Sequence, residues 1–182
     1  MTRTFSFEFF PPKTPEGEDK LLAVRSRLAA VKPAFFSVTF GAGGSTKQGT
    51  WKTVMAIHAE GLPVAIGGFH VSGCLSMLSE IPAEIRRAQE MGISIFAGEA
   101  ENGALDEVLR DACSGQLKPV YNHMKHLPAL EGQPTPILPF ETVQRTRGQY
   151  SSFDLGRGCP FQCSFCTIIN VQGRKSRFRT AD

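Results

Sequence analysis

Segments typical of β-strands alternate with segments typical of α-helices along the first two thirds of this chain, and short connections separate them. The strand-like segments are rich in β-branched and aromatic residues and are predicted at 4–10, 34–40, 62–66 and 93–97. Helices are predicted from Pro15 to Pro33, from Ser45 or Thr46 to near Gly61, between Ser79 and Gly92, and from about Gly103 to Ser114. Because parallel strands need crossover connections, this order predicts an α/β fold, a parallel sheet with flanking helices.

The alternation ends at Gln116, and five of the twelve prolines lie between Pro119 and Pro139. Residues 116–148 are therefore predicted to form an extended linker, followed by a last strand at 150–155. The chain has 182 residues. Since a complete eight-stranded β/α barrel needs about 250 residues, at most part of such a barrel fits within it.

The composition is that of a water-soluble globular protein, with 41% hydrophobic and 20% charged residues. No apolar run approaches the roughly 20 residues of a membrane-spanning helix, and the N-terminus lacks the pattern of a signal peptide. We therefore expect a cytoplasmic protein that does not interact with membranes.

The net charge of +3 comes from the last twelve residues, which contain Arg174, Lys175, Arg177 and Arg179 against Asp182. No aromatic residues are interleaved as in a nucleic-acid surface, so a solvated or anion-binding loop is the favoured interpretation over nucleic-acid binding.

Three of the five cysteines, Cys159, Cys163 and Cys166, lie within eight residues in the sequence GRGCPFQCSFCTII. Thiolates are the ligands of iron–sulfur clusters, and three of them leave one iron of a [4Fe-4S] cluster open to a small molecule. The alternative is a structural zinc site, whose fourth ligand would have to fold back from Cys74, Cys113, His123 or His126.

This loop resembles the cluster-binding motif of the radical S-adenosylmethionine (SAM) superfamily. The resemblance implies that Cys159, Cys163 and Cys166 are metal ligands, that Phe165 lies beside the adenine of SAM, and that the open iron binds SAM. Residues 66–182, with the sequences IGGFHVSG and FAGEAENG, resemble the radical SAM subgroup with a cobalamin-binding domain. That resemblance implies possible cobalamin contacts at Gly67, Gly68, His70, Gly98 and Glu99, although the usual cobalt-binding histidine motif is absent, and His70 could equally be an ordinary loop residue.

The N-terminal segment has a different chemistry. Glu8 lies in an apolar strand among phenylalanines, where a carboxyl group is suited to donate a proton, although it could equally be an edge-strand residue facing water. The sequence GAGGST at 41–46 precedes a predicted helix, and its backbone N–H groups could bind an anion.

Residues 1–65, including SFEFFPPKTPEGE and SVTFGAGGST, resemble methylenetetrahydrofolate reductase, an FAD-dependent β/α barrel that uses a nicotinamide cofactor. The resemblance implies that Glu8 is the catalytic acid that activates the folate and that Thr39 contacts the flavin. It ends where the family has a flavin-contacting histidine and this chain has Ile66-Gly67-Gly68, and residues 97–103 lack the family's later flavin-binding segment.

These resemblances predict four regions: a reductase-like β/α segment at 1–65, a partial cobalamin-binding segment at 66–115, the linker at 116–148 and the start of a radical SAM domain at 149–182. The favoured hypothesis is a radical SAM protein with a [4Fe-4S] cluster and a small-molecule substrate, in an incomplete or fused chain unlikely to turn over by itself. The alternatives are an FAD-dependent methylenetetrahydrofolate reductase and an inactive truncated fusion product.

Overall fold

The protein contains two compact units, and the first of them includes a short segment from later in the chain. One unit comprises Met1–Val64 and Leu109–Gln116, and the other comprises Ala65–Val108 and Leu117–Asp182. The structure, a computed structural model, describes residues 6–33, 35–38, 47–133, 141, 144 and 154–180.

The first unit contains a parallel strand pair and two helices. Strand β1 (Phe7–Phe9) pairs with β2 (Phe36–Val38), and Glu8 lies opposite Ser37. Helix α1 (Pro15–Ala29) begins where the Thr14-Pro15 pair predicts it, because the Thr14 hydroxyl oxygen accepts a hydrogen bond from the Gly17 N–H at 3.1 Å. Helix α2 spans Lys47–His58. Among the described residues of the strands predicted at 4–10 and 34–40, Ser6, Phe10 and Phe35 lie outside β1 and β2.

The second unit contains a three-stranded parallel sheet in the order β3-β4-β5. The strands are β3 (Ala65–Ile66), β4 (Ser94–Ala97) and β5 (Val120–Asn122). The central strand β4 is buried along its whole length, as expected for a strand covered on both faces. Helices α3 (Phe69–Met77) and α4 (Ala83–Glu90) belong to this unit, as does the first half of α5 (Ala104–Cys113), whose residues from Leu109 onward are counted with the first unit. The parallel α/β class predicted by the alternation is confirmed.

A small antiparallel ribbon and a short helix follow in residues 154–180. Strand β6 (Gly156–Arg157) pairs with β7 (Arg177–Phe178), and helix α6 (Thr167–Val171) lies between them in the chain. Helix α6 packs against α3, where a side chain added at Gly73 would approach the Thr167 methyl group within 2.9 Å. Neither the ribbon nor α6 was predicted, and the strand predicted at 150–155 lies largely outside the described residues.

Two further elements differ from the prediction. Helix α3 occupies a segment for which no helix was predicted, because its buried residues Val71, Ser72 and Gly73 are consecutive rather than spaced as on one helical face. Strand β5 lies within the proline-rich region 116–148, because the stretch between Pro119 and Pro128 is long enough for a strand of three residues.

Among the residues that the structure describes, no helix has both the length and the apolar character required to cross a lipid bilayer.

Candidate functional site

The three clustered cysteines lie on one loop between β6 and α6, which we call the cysteine loop (residues 158–166). Gly158 begins the loop with a φ of 82°, and a side chain there would overlap the backbone oxygen of Lys175. The Cys159 N–H donates to the Gly173 oxygen at 3.2 Å, and the Cys166 N–H donates to the Cys163 oxygen at 3.1 Å. The first hydrogen bond attaches the start of the loop to Gly173, and the second forms a turn within the loop.

All three thiols of the loop are free. Cys159 and Cys166 are half-buried, and Cys163 is exposed. Phe165 is 84% exposed. Within the described part of the chain, no three His, Cys, Asp or Glu side chains are arranged so that they could hold one metal ion. The structure thus brings the predicted ligands onto a common loop without converging their side chains on one point.

A network of three arginines and three carboxylates lies beside the cysteine loop. We call it the arginine–carboxylate network, and its members are Glu99, Glu101, Asp154, Arg157, Arg177 and Arg179. Arg157 is at its centre, since its guanidinium donates to Glu99 at 3.0 Å, to Glu101 at 2.7 Å and to Asp154 at 2.7 Å. Hydrogen bonds between ionised groups of this kind are among the strongest in proteins.

Two residues of the basic C-terminal segment belong to this network. Arg177 donates to a Glu99 carboxylate oxygen at 2.9 Å and to the Pro128 backbone oxygen at 2.6 Å, and Arg179 donates to Glu101 at 3.2 Å. The side chains of Glu99 and Arg179 are each only 4% exposed. The expectation of a solvated or anion-binding loop is therefore wrong for Arg177 and Arg179, whose charges are neutralised within the fold.

The network shifts the pKa values of two of its members, Glu101 and Arg157. Burial alone raises the pKa of Glu101, but hydrogen bonds from Arg157 and Arg179 and the charge of Arg157 outweigh burial and hold that pKa below its ordinary value. Burial likewise lowers the pKa of Arg157, yet hydrogen bonds to Glu101 and Asp154 raise it above its ordinary value. Glu101 and Arg157, the central pair of the network, are therefore both ionised at neutral pH.

The residues suggested for cobalamin lie mainly after β3 and β4. Gly67 and Gly68 follow β3, while Gly98 and Glu99 follow β4. Because carboxyl ends of parallel strands lie at one edge of a sheet, these positions share that edge. Glu99 is engaged by arginines there. His70 lies apart on the exposed surface of α3, with its Nε2 atom 3.7 Å from the Cys74 sulfur and 3.9 Å from a Glu84 oxygen.

Gly98 has a local structural reason for being glycine. Its φ is 118°, and a side chain there would approach the His123 carbonyl carbon within 2.9 Å. The Gly98 N–H also donates to the hydroxyl of fully buried Ser72 at 3.0 Å. Gly98 therefore allows the turn after β4 to pass close to the end of β5.

A cavity of about 360 Å³ opens next to this turn, at the ends of β4 and β5. Its lining includes Glu101, Asn102, Glu107, His123 and His126. The His123 Nε2 atom lies 3.4 Å from a Glu107 oxygen. Sequence reasoning missed this cavity, since its two histidines lie in the proline-rich segment and were considered only as possible zinc ligands.

Glu8 lies in β1 of the first unit. Its neighbours Phe7 and Phe9 pack on Phe36, with ring centroids 6.3 and 5.0 Å apart. Glu8 itself is exposed, which matches the edge-strand alternative for its orientation and leaves the carboxyl group accessible to a ligand. Thr39 and the GAGGST sequence lie outside the described residues.

Comparison with known proteins identifies relatives of the N-terminal half. The methylenetetrahydrofolate reductase family model matches residues 1–98, just over half of the chain. A 5,10-methylenetetrahydrofolate reductase of Buchnera aphidicola subsp. Schizaphis graminum (strain Sg) is 42% identical over 77 residues, which are 42% of this chain and 26% of the relative. The 5,10-methylenetetrahydrofolate reductase of Escherichia coli (strain K12) is 35% identical over 81 residues, 44% of this chain and 25% of the relative.

A plant relative is more similar over a shorter stretch. Methylenetetrahydrofolate reductase (NADH) 1 of Arabidopsis thaliana is 55% identical over 42 residues, 23% of this chain and 7% of the relative. The chain spans about a quarter or less of the length of these curated relatives.

The family match extends further than the motifs indicated. The motifs indicate a reductase resemblance only for residues 1–65, whereas the family match continues to residue 98, through β3, α3, α4 and β4. These relatives lend no support to the radical SAM and cobalamin resemblance of residues 66–182, which stays a prediction.

Proposed function

Because this chain belongs to the methylenetetrahydrofolate reductase family, we propose that its N-terminal part performs the folate-activating step of such an enzyme. Glu8 is the proposed acid. The single observation that supports this role is its position, an exposed carboxyl group on a strand whose neighbouring phenylalanines are packed against β2. The packed phenylalanines hold the strand against β2, and Glu8 between them is exposed.

The proposed role of Glu8 is to bind a methylenetetrahydrofolate molecule and donate a proton to it. An acid on a packed strand is oriented before the ligand arrives, which lowers the cost of reaching a productive geometry. The substrate is thus a small molecule, as the family implies.

The family's FAD is not well accommodated by the described residues of the second unit. A flavin dinucleotide carries an anionic diphosphate, which favours free cations or open backbone N–H groups. After β4, the arginines near the turn are each engaged by Glu99, Glu101 or Asp154. After β3, Ile66-Gly67-Gly68 replace the histidine expected from the resemblance. We therefore confine the proposal to folate activation and derive no step through FAD.

Substitution of Glu8 tests this proposal. The full chain should bind 5,10-methylenetetrahydrofolate, and Glu8→Ala should weaken binding by roughly ten- to a hundredfold, the usual effect of losing a hydrogen bond to a charged group. Isothermal titration calorimetry measures the affinity. Glu16→Ala is the matched control, since Glu16 is an exposed glutamate at the start of α1. This variant should bind 5,10-methylenetetrahydrofolate with the same affinity as the unsubstituted chain. Absence of binding by the unsubstituted chain, or equal binding by Glu8→Ala, would contradict the proposal.

The cysteine loop supports a second candidate function. We propose that Cys159, Cys163 and Cys166 bind a [4Fe-4S] cluster that leaves one iron open to SAM. We propose that Phe165 contacts the adenine of SAM. The observation that favours this is three free thiols on one loop whose Cys159 N–H is hydrogen-bonded to Gly173. When bound, such a cluster supplies an electron for the cleavage of SAM. The protein's own part is to present the thiols and an exposed aromatic ring.

Anaerobic reconstitution with iron and sulfide tests the second proposal. We expect about four irons per chain with the broad visible absorbance of a cluster, in keeping with a cluster held by three thiolates. Cys159→Ser should lose most of this iron, whereas Cys113→Ser, at the exposed end of α5, should retain it. Colourless, iron-free protein, or equal iron in both variants, would refute cluster binding at this loop.

We further propose a functional boundary near residue 65, with folate chemistry before it, where the reductase motifs lie, and the cysteine loop after it at 149–182. The compact units divide between Val64 and Ala65, which supports this boundary, whereas the family match itself continues to residue 98. The partial cobalamin-binding segment at 66–115 stays a prediction, and its residues 66–98 lie within the family match. The linker at 116–148 stays a prediction for a region that contains β5.

A further inference from the structure

The arginine–carboxylate network connects three separate segments of the second unit. Glu99 and Glu101 follow β4, Asp154 and Arg157 precede the cysteine loop, and Arg177 and Arg179 lie in and after β7. The pairs that involve Glu99 or Glu101 join residues 56 to 78 positions apart in sequence. The network therefore attaches the ribbon of β6 and β7 to the edge of the parallel sheet.

Arg157 is the member nearest to the thiols. Only Gly158 separates it from Cys159, and its backbone pairs with Arg177 across the ribbon. Its guanidinium donates to both oxygens of Glu101, at 2.8 and 2.7 Å. Such a two-bond pair fixes orientation as well as distance. The position of the Cys159 backbone thus depends directly on where Arg157 is held.

The other end of the cysteine loop is attached independently. Cys166 is the N-cap residue of α6, and α6 packs on α3 through the close approach of Gly73 and Thr167. The Asn170 side-chain amide also donates to the Cys166 oxygen at 3.0 Å. The loop is therefore held by charge at its beginning and by helix packing at its end.

We propose that Arg157, through Glu99, Glu101 and Asp154, is a positioning residue that orders the cysteine loop in the metal-free protein. The network contains three cationic and three anionic side chains, so its burial leaves no net charge. Removing one member leaves a buried charge without its partner, which releases the segment that carried it. The use of this loop for a cluster rests on the second proposed function, but the ordering itself does not.

Alkylation of individual thiols in the metal-free full chain tests this role. Iodoacetamide labelling, quantified for each cysteine by mass spectrometry, should be roughly tenfold faster at half-buried Cys159 in Arg157→Gln, which corresponds to about 1.4 kcal/mol in the local opening equilibrium. Exposed Cys163 and Cys113 should label at unchanged rates. Arg157→Lys retains the charge and should recover part of the protection.

Two measurements separate positioning from general loosening of the fold. Hydrogen exchange at Ser94–Ala97 in β4 should be unchanged in Arg157→Gln, and Lys118→Gln, which removes the exposed pair with Glu107, should leave Cys159 labelling unchanged. If Arg157→Gln fails to fold, Asp154→Asn removes one partner and should accelerate Cys159 labelling in the same direction. Unchanged Cys159 labelling, or an equal rise at β4, would overturn the proposal.

The outcome is distinguishable from the fate of the cluster proposal. Selective Cys159 labelling in a chain that binds no iron would support the positioning role and refute the cluster. Iron binding that is the same in Arg157→Gln, with unchanged labelling, would support the cluster and refute the positioning role.

Discussion

Replacing Gly158 with alanine should destabilise the 154–180 segment by about 2–5 kcal/mol. About 1–2 kcal/mol comes from placing an L-residue in a left-handed conformation, since the φ of Gly158 is 82°. Overlap of the new methyl group with the backbone oxygen of Lys175 adds about 1–3 kcal/mol, the usual range for overpacking. A backbone oxygen cannot move aside as the end of a flexible side chain can.

Gly92→Ala is the matched control for this substitution. The φ of Gly92 is 78°, but nothing lies within 4 Å of a side chain added there. It should therefore show only the conformational cost of about 1–2 kcal/mol. Hydrogen exchange of the full chain, followed by mass spectrometry over peptides from each region, measures both losses. Equal losses in the two variants would show that the close approach to Lys175 has no energetic effect.

Truncation of Ile95 to alanine should lower the free energy of unfolding of the second unit by about 2–5 kcal/mol. Ile95 is completely buried in the central strand and lies between Ile66 of β3 and Val120 of β5. The loss combines the transfer energy of the deleted carbons with the cavity that they leave, because a strand paired on both sides can relax only slightly.

The neighbouring strand supplies a control for Ile95. Val120 occupies the paired position on β5 but is 41% exposed, so Val120→Ala should cost clearly less. Ile95→Val should also cost only about 0.5–1.5 kcal/mol. Urea unfolding monitored by circular dichroism of the full chain provides the comparison. A loss at Ile95 no larger than that at Val120 would contradict the placement of β4 at the centre of the core.

Sequence patterns located the elements with strong local signals. Thr14 and Pro15 predicted the start of α1, and the runs at 93–97 and 103–114 predicted β4 and α5. The position of α5 does not by itself fix which side chains are buried, since Val108 is buried but Leu105 is 37% exposed. Helix α3 was missed because its buried residues Val71, Ser72 and Gly73 are consecutive, so the segment lacks the spacing of an amphipathic helix.

The candidate sites divide in the same way. The spacing of Cys159, Cys163 and Cys166 is visible in the sequence, because these residues are local and their chemistry is distinctive. The partners of Arg157 and Arg177 were not visible, since Glu99 and Glu101 are more than fifty positions away. Glu99 was interpreted as a possible cobalamin contact, whereas its carboxylate binds two arginines.

The sequence by itself determined the α/β class, the cap of α1, the position of Glu8 on β1 and the grouping of three thiols, because periodicity, capping and short-range spacing depend on neighbouring residues. The tertiary structure alone decided that Arg177 and Arg179 of the basic C-terminal segment are neutralised internally, that Gly158 and Gly98 are required by close backbone approaches, and that a cavity forms at the ends of β4 and β5. Charge pairing and close packing join residues that are distant in the chain, and no local pattern specifies which distant residues will meet.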